Sequence, residues 1–311
     1  MSKPLKYSKQ LDGAVIQAAE EALKISVLNA AKIMNGSVNH VYRVCLQDGS
    51  VVAVRVFGEE FWPPNGKLAL VERMLDEHEI AHARILHHTR DNRHFPYGFM
   101  ITEFVEGTTC SEAIGTKISS AEFYGRLGRL LKKVHRIKFP VYGDMGEHKK
   151  VSSDFVTYML RDIENCLDAM EQLKLLDSGA RMSVYELVQG TLQPHVQKFE
   201  PVLVHWDAGP ENCVLRPDGE LVLVDWDNAQ SHIWIQDYAV LTYWKKGGRE
   251  KVRTPFLETH GLGNFTLAET DEIEKALHAL FAAKLLPYFY HHKEDMEAVE
   301  ATKNRLLALI R

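Results

Sequence analysis

The feature that most constrains this chain is a β-rich island set among helical patterns, PVLVHWDAGPENCVLRPDGELVLVDWDNA at 201–229. CVLR and ELVLVDW are apolar runs on either side of Pro217-Asp218-Gly219, and Asp-Gly is among the strongest local signals for a hairpin. A turn centred between Asp218 and Gly219 sets Asn212 opposite Asp225. Directly opposed strand residues share a face with Cα atoms about 4.5–5.5 Å apart. An amide oxygen and a carboxylate delivered together are hard ligands that suit Mg²⁺, which takes one or two protein carboxylates and leaves its other positions to water and phosphate oxygens. Asp207, in a loop opened by His205, lies five residues before Asn212, where a carboxylate can orient a substrate hydroxyl and accept its proton. Each of these residues taken alone reads as well as a turn cap or a strand end. The combination of His-x-Asp, Asn five later and Asp opposite that Asn is much harder to obtain by chance.

The rest of the chain fits an α+β protein with a small strand-rich N-terminal part and a larger helical part. KIMNGSVNHVYRVCLQDGSVVAVRVF offers two apolar runs joined by Gln47-Asp48-Gly49, a second hairpin signal. A helix is expected from about Leu68 to Leu86, then a short strand in GFMITEFVEG. AEFYGRLGRLLKKVHRI sets Phe123, Leu127, Leu130, Leu131 and Val134 on one helical face, read as core. Further helix is expected over about 154–198 and again from about 268.

Composition narrows the function. At 45% hydrophobic and 25% charged with a net charge of -5, the chain reads as an ordinary globular protein without the global basic field that holds a nucleic acid. Cys45, Cys110, Cys166 and Cys213 are widely spaced and form no C-x-x-C pair, which fits a reducing compartment. No secretory leader is visible and no apolar run approaches a bilayer span. The expected setting is cytoplasmic, with no membrane partner and no indication of oligomeric state.

HWDAGPENCVL followed by VDWDNA resembles the catalytic loop and metal-binding aspartate of the aminoglycoside phosphotransferase and choline kinase group, small-molecule relatives of protein kinases. GSVNHVYRV is similar to that group's nucleotide loop, VVAVRVF to its third strand and FMITEFVEG to its hinge. The resemblance spans about 36–240. It implies a bilobal protein-kinase-like fold, with a nucleotide-binding N-lobe of antiparallel sheet plus helix over 1–106 and a helical C-lobe over 107–311 carrying the catalytic loop and acceptor site. It implies an enzyme that moves the γ-phosphoryl of ATP or GTP to a hydroxyl of a small acceptor, with Mg²⁺ on Asn212 and Asp225 and with Asp207 catalytic.

Arg55 lies within an apolar strand, where a guanidinium needs a partner. The resemblance places it where the family grips α/β-phosphates, with Glu79 as its helix partner and Glu72 and Glu77 as competitors. Gly36, Ser37 and Asn39 would form a turn whose N–H groups and Ser37 hydroxyl approach phosphates. The backbone at Glu103 and Val105 would hydrogen-bond the purine. Asp227 would assist the metal shell or shape its loop, and Asp237, otherwise a helix N-cap, would steady the catalytic loop. Trp206 and Ala208-Gly209 depart from the family's small residue and Leu-His, which leaves the acceptor open. An acidic excess after Pro201 suits a cationic acceptor such as an aminoglycoside.

Two other readings compete. The altered loop and Arg55 allow a nucleotide-binding regulator of weak turnover. His78-Glu79-Ile80-Ala81-His82 is a formal H-E-x-x-H with both histidines on one helical face, and a zinc hydrolase would use His78 and His82 as ligands and Glu79 as base.

Overall fold

The computed structural model describes residues 9–35, 39–60, 62–146, 150–244, 248–293 and 295–311. Helix α1 (Lys9–Leu23) leads into strands β1 (Val27–Asn35), β2 (His40–Leu46) and β3 (Val51–Val56), then α2 (Lys67–Glu77), β4 (Ile85–Thr89), β5 (Phe99–Glu103) and β6 (Thr108–Thr109). The helical part opens with α3 (Cys110–Ala113) and α4 (Ser120–Val134), followed by β7 (Tyr142–Gly143) and β8 (Val151–Ser152). Next come α5 (Phe155–Gln172), α6 (Ser178–Leu192), β9 (Val202–Val204), β10 (Cys213–Leu215), β11 (Leu221–Leu223) and β12 (Gln230–His232). The chain ends in α7 (Ile235–Trp244), α8 (Arg249–His260), α9 (Leu267–Tyr288) and α10 (Met296–Leu309). The α+β class and the antiparallel character of the first part follow the expectation.

Two compact units emerge, and the division is discontinuous in sequence. The first takes the chain up to Thr109 together with Cys213–Asp227, so the β10–β11 hairpin belongs to it. A single cut after residue 106 does not describe this arrangement.

The first unit is built on an antiparallel sheet of order β1-β2-β3-β5-β4. The β2–β3 hairpin turns where expected, with Gly49 at φ 87° and Ser50 N donating to Asp48 Oδ1 at 2.9 Å. β3 reads Val-Val-Ala-Val-Arg-Val, and its neighbours on both sides hold it inside the sheet. The core joins Tyr42, Val44, Val52, Val54, Phe99 and Ile101 from the sheet to Leu11, Val15, Ala18 and Ala19 of α1, an amphipathic stripe of the usual helical spacing.

Helix α2 ends nine residues before the expected Leu86. Its last turn closes as a Schellman motif: Ile80 N donates to Leu75 O at 2.9 Å and Glu79 N to Asp76 O at 3.0 Å, with Glu79 left-handed at φ 53° and Ile80 buried. A glutamate stands where glycine is usual, so no breaker is visible in sequence. His78 and His82 therefore do not share a helical face, and each ring bonds locally, to Met74 O and Ile80 O. The zinc-hydrolase reading is corrected on this ground.

In the same unit β10 pairs with β11 as Cys213↔Leu223, Val214↔Val222 and Leu215↔Leu221. The register is offset by one from that expected, because the connection has an odd number of residues. Gly219 N donates to Arg216 O and Arg216 N to Glu220 O, both at 2.9 Å, with Gly219 at φ 85°. This is a turn followed by a left-handed residue rather than a two- or four-residue loop. Asn212 and Asp225 are thus not a cross-strand pair: Asn212 closes a 3-10 turn, and Asp225 is left-handed at φ 66°.

The second unit contains the sheet β8-β7-β12-β9 and the remaining helices. Ser119 caps α4 by accepting from Glu122 N, and its apolar face buries Phe123, Leu127, Leu131 and Val134, while Leu130 is half-buried. Thr266 and Glu269 form a capping box at α9. Buried in this unit, His232 and His278 have their pKa values pushed down to about 3 and about 4 by desolvation. They are neutral in the folded protein, whereas an unfolded histidine takes a proton below about 6.5. Their stabilisation is complete above that value and is lost as pH falls toward the folded values. At pH 5.5 each should cost about 1.4 kcal/mol relative to neutral pH. Urea unfolding at pH 7.5 and 5.5 should show this loss, and His232→Leu should shrink it by about one histidine's share.

Candidate active site

In the second unit, the loop after β9 is organised by a carboxylate on the first turn of α7. Asp237 is 1% exposed; its Oδ2 accepts from His205 N at 3.0 Å and its Oδ1 from Trp206 N at 2.7 Å. Burial alone would raise its pKa, but the hydrogen bond from His135 and the neighbouring histidines hold it below the usual value. Trp206 takes φ 68°, which turns the chain so that Asp207 follows at a sharp corner. Asp207 N donates to His205 Nδ1 at 3.3 Å. Asn212 Nδ2 donates both to Asp207 O and to Asp207 Oδ2, each at 2.9 Å, so the amide is oriented with Oδ1 as its other end.

Asp207 lines a cavity of about 380 Å³ within this unit, together with Glu211, Tyr124, Val240, Leu241 and Trp244. The size lies in the range of small-ligand pockets. Two carboxylates and two aromatic rings make it acidic and partly apolar. Trp206 does not line it. Its ring packs against His232 and Phe281 at centroid distances of 5.6 and 6.0 Å, with Lys284 Nζ 4.7 Å from the ring centre, and Lys284 is paired with Asp162.

In the first unit, Arg55 forks onto two aspartates. Nη1 donates to Asp227 Oδ1 at 2.9 Å, and Nη2 donates to Asp227 Oδ2 at 2.6 Å and to Asp225 Oδ1 at 2.8 Å. Asp227 is 2% exposed, and burial raises its carboxyl to about 6 against the opposing charge of Arg55. Asn39 ties this group to the sheet: Nδ2 donates to Asp227 Oδ2 at 3.2 Å while Oδ1 accepts from Gly58 N at 3.1 Å. Buried Lys67 and half-buried Arg90 add positive charge around Asp227. Neither stands out in the sequence, because a lysine opening a helix and an arginine after a strand carry no motif.

The expected partner of Arg55 is not among the glutamates of α2. Glu79 lies exposed past the end of the helix, Glu72 accepts from Ile85 N and Glu77 pairs with Arg73. The early stop of α2 is the cause. Glu103 sits in β5 with its N–H donated to Arg84 O at 2.9 Å and its carboxylate bonded to Arg84 Nε at 2.9 Å; Val105 is half-buried just beyond. Gly36 and Ser37 lie outside the described residues.

In the first unit Asp225 keeps 37% of its side chain exposed and offers a carboxylate, a hard oxygen ligand of the kind a divalent cation takes. In the second unit Asn212 presents an oriented amide oxygen, a ligand of the same kind.

Residues 33–273 match the phosphotransferase enzyme family (APH). The chain belongs to this family and is a small-molecule phosphotransferase, a kinase. No curated protein matches it in sequence. Among solved structures, it is similar to a thermostable mutant of aminoglycoside phosphotransferase APH(4)-Ia in ternary complex with AMP-PNP and hygromycin B (14% identity, 96% of this chain and 98% of that one, TM-score 0.67). It is similar also to APH(2")-IIa in complex with gentamicin (15%, 97% and 97%, 0.67) and to choline kinase LicA from Streptococcus pneumoniae (14%, 97% and 99%, 0.66). At these identities the likeness is one of fold, and it bears out the kinase-like architecture. Among the described residues no helix is long and apolar enough to cross a membrane.

Arg55 is buried with Asp227 as its most buried counter-ion, so removing that partner should be costly. Asp227→Ala should destabilise the protein by about 3 kcal/mol, the lower end for a broken buried pair because Asp225 remains. Urea denaturation measures it, and a change within the range of an exposed ion pair, under about 1 kcal/mol, would contradict the burial argument.

Proposed function

We propose that the protein transfers the γ-phosphoryl group of ATP or GTP to a hydroxyl of a small, cationic acceptor such as an aminoglycoside, in the cytoplasm. The observation that carries this reading is Asp207, its carboxylate oriented by Asn212 Nδ2 at 2.9 Å and lining an acidic cavity of about 380 Å³. Asp207 orients the acceptor hydroxyl and takes its proton as the acceptor oxygen bonds to the γ-phosphorus and the bond to the β–γ bridging oxygen breaks. Glu211 gives the cavity a second carboxylate, the charge complement of an ammonium group.

Asn212 and Asp225 are the residues to hold Mg²⁺, with Asp227 supporting. When bound, the ion neutralises charge on the donor phosphates. Arg55 supplies positive charge for the donor phosphates while its forked N–H groups are held by Asp225 and Asp227, and among the described residues its buried Nε has no hydrogen-bond partner. Asn39 serves the nucleotide's phosphates, and the backbone at Glu103 and Val105 meets the purine. His205 and Asp237 keep the loop of Asp207 in shape. Most of the catalytic effect is positioning and charge neutralisation.

Asp207→Ala should lower turnover by at least ~10²-fold with nucleotide affinity nearly unchanged; wild-type turnover in that variant would remove Asp207 from the mechanism. Asp225→Ala should instead weaken Mg²⁺-dependent nucleotide binding in calorimetry. A screen of ADP and GDP release over hydroxylated amines, antibiotics and sugars identifies donor and acceptor. Nucleotide binding with no release on any acceptor would favour a regulator over an active transferase.

A further inference from the structure

Behind the catalytic loop, the second unit contains a chain of buried polar groups that the reaction itself does not use. His135, the C-cap of α4, and His260, at the end of α8, are 8% and 7% exposed. His135 Nε2 lies 3.0 Å from Asp237 Oδ2, His135 Nδ1 lies 2.8 Å from His260 Nε2, and His260 Nδ1 lies 2.8 Å from Gly261 O. The two ends of this chain fix its hydrogens. A backbone carbonyl only accepts, so His260 Nδ1 carries a hydrogen. An ionised carboxylate only accepts, so His135 Nε2 carries another. The bond between the rings needs a third, and two neutral imidazoles together have only two N–H groups.

We propose that the His135–His260 pair holds one proton beyond two neutral rings, with the charge on His135, and that this buried imidazolium positions the catalytic loop through Asp237. Charge sits on His135 because its ring touches the carboxylate, whereas His260 meets only a neutral carbonyl and lies between the rings of Trp234 and Phe256 at 4.4 and 5.3 Å. Burial, and then the charge of His135, push the pKa of His260 down to about 3. The other titratable groups that act on this chain are His205 beyond β9, His232 of β12 and Lys132 of α4. Asp237 is the acidic member of the set. It is buried, accepts from the amides of His205 and Trp206, and needs a cation nearby to remain ionised there. His135 is a positioning residue: it holds the carboxylate that holds the two amides immediately before Asp207.

Two measurements test this, and they separate it from the reading of Asp207 on which its kinetic arm rests. Nitrogen-15 NMR of histidine-labelled protein at about pH 8, above the ~6.5 of a free histidine, should show one doubly protonated ring that disappears in His135→Gln. If every ring is neutral at that pH, the proposal is overturned whatever the protein's activity. His135→Gln retains an N–H donor for Asp237 without the charge. With ATP and Mg²⁺, it should release ADP ~10- to ~10²-fold more slowly, the scale of a sub-ångström to ångström misplacement. Nucleotide KM should stay near wild type, the melting temperature should fall because Asp237 loses its buried counter-charge, and a rate decline at high pH, expected of the wild type as the imidazolium loses its proton, should be absent. A variant with wild-type rate and pH profile would overturn the positioning role. An imidazolium seen by NMR alongside full turnover in Asp207→Ala would instead leave the charge standing and reject Asp207 as the catalytic group.

Discussion

A carboxylate buried to 1% exposure, Asp237, must find donors for both of its oxygens or lose its charge. It finds them in the amides of His205 and Trp206 and in the ring of His135. The consequences run outward through the second unit. With two consecutive N–H groups pinned to one carboxylate, the backbone turns through a left-handed tryptophan, a conformation that costs of order 1–3 kcal/mol unless its surroundings over-determine it. Trp206 is over-determined twice, by the amide bond to Asp237 and by ring packing on His232 and Phe281. Asp207 then emerges with little freedom left, and Asn212 removes most of what remains. Precision at the Asp207 carboxylate comes from a buried ion and a packed indole rather than from the loop's own propensity.

The first unit solves the converse problem, a buried cation. Arg55 lies on a central strand between β2 and β5, where no water reaches a guanidinium. Asp225 and Asp227 come to it from the segment after β11, which belongs to the same unit despite its distance in sequence. Two carboxylates on one guanidinium cannot both be fully compensated, and the more buried of them, Asp227, is the one whose pKa is raised. Asp225 is the member of the pair that keeps solvent access.

Much of this is legible in the sequence because the signals are short-range. Asp-Gly turns announce both hairpins, alternating apolar residues announce β3, and the spacing of Phe123, Leu127, Leu131 and Val134 announces α4. The failures have equally local causes. A single residue in the 217–219 turn shifts the register and dissolves the expected pairing of Asn212 with Asp225, since strand periodicity is two and an odd loop reverses faces. Glu79 in a left-handed cap carries no glycine to mark the end of α2, and so an apparent metal-binding helix and an apparent partner for Arg55 both disappear together. Helix α1 goes unmarked although Leu11, Val15, Ala18 and Ala19 carry the helical spacing; its many alanines give a weak apolar signal until the sheet beneath it is known. His135 and His260 lie 125 residues apart, and nothing short-range relates them.

Trp206 shows how a departure from a family pattern can be neutral toward the reaction yet informative about the substrate. A bulky side chain beside Asp207 would be expected to crowd the cavity that Asp207 lines, but the left-handed backbone sends the indole away from it, toward β12 and α9. Lys284, drawn to the ring face and to Asp162, is thereby held in a cation–π contact and an ion pair of its own. The acidic character around Asp207 and Glu211 is then set by the cavity's own side chains. Its apolar walls, Val240 and Leu241, and its rings, Tyr124 and Trp244, make it partly apolar as well as charged. The cavity is walled in part by α4 and α7, the helices whose ends also supply His135 and Asp237, so that the elements shaping it are those that orient Asp207.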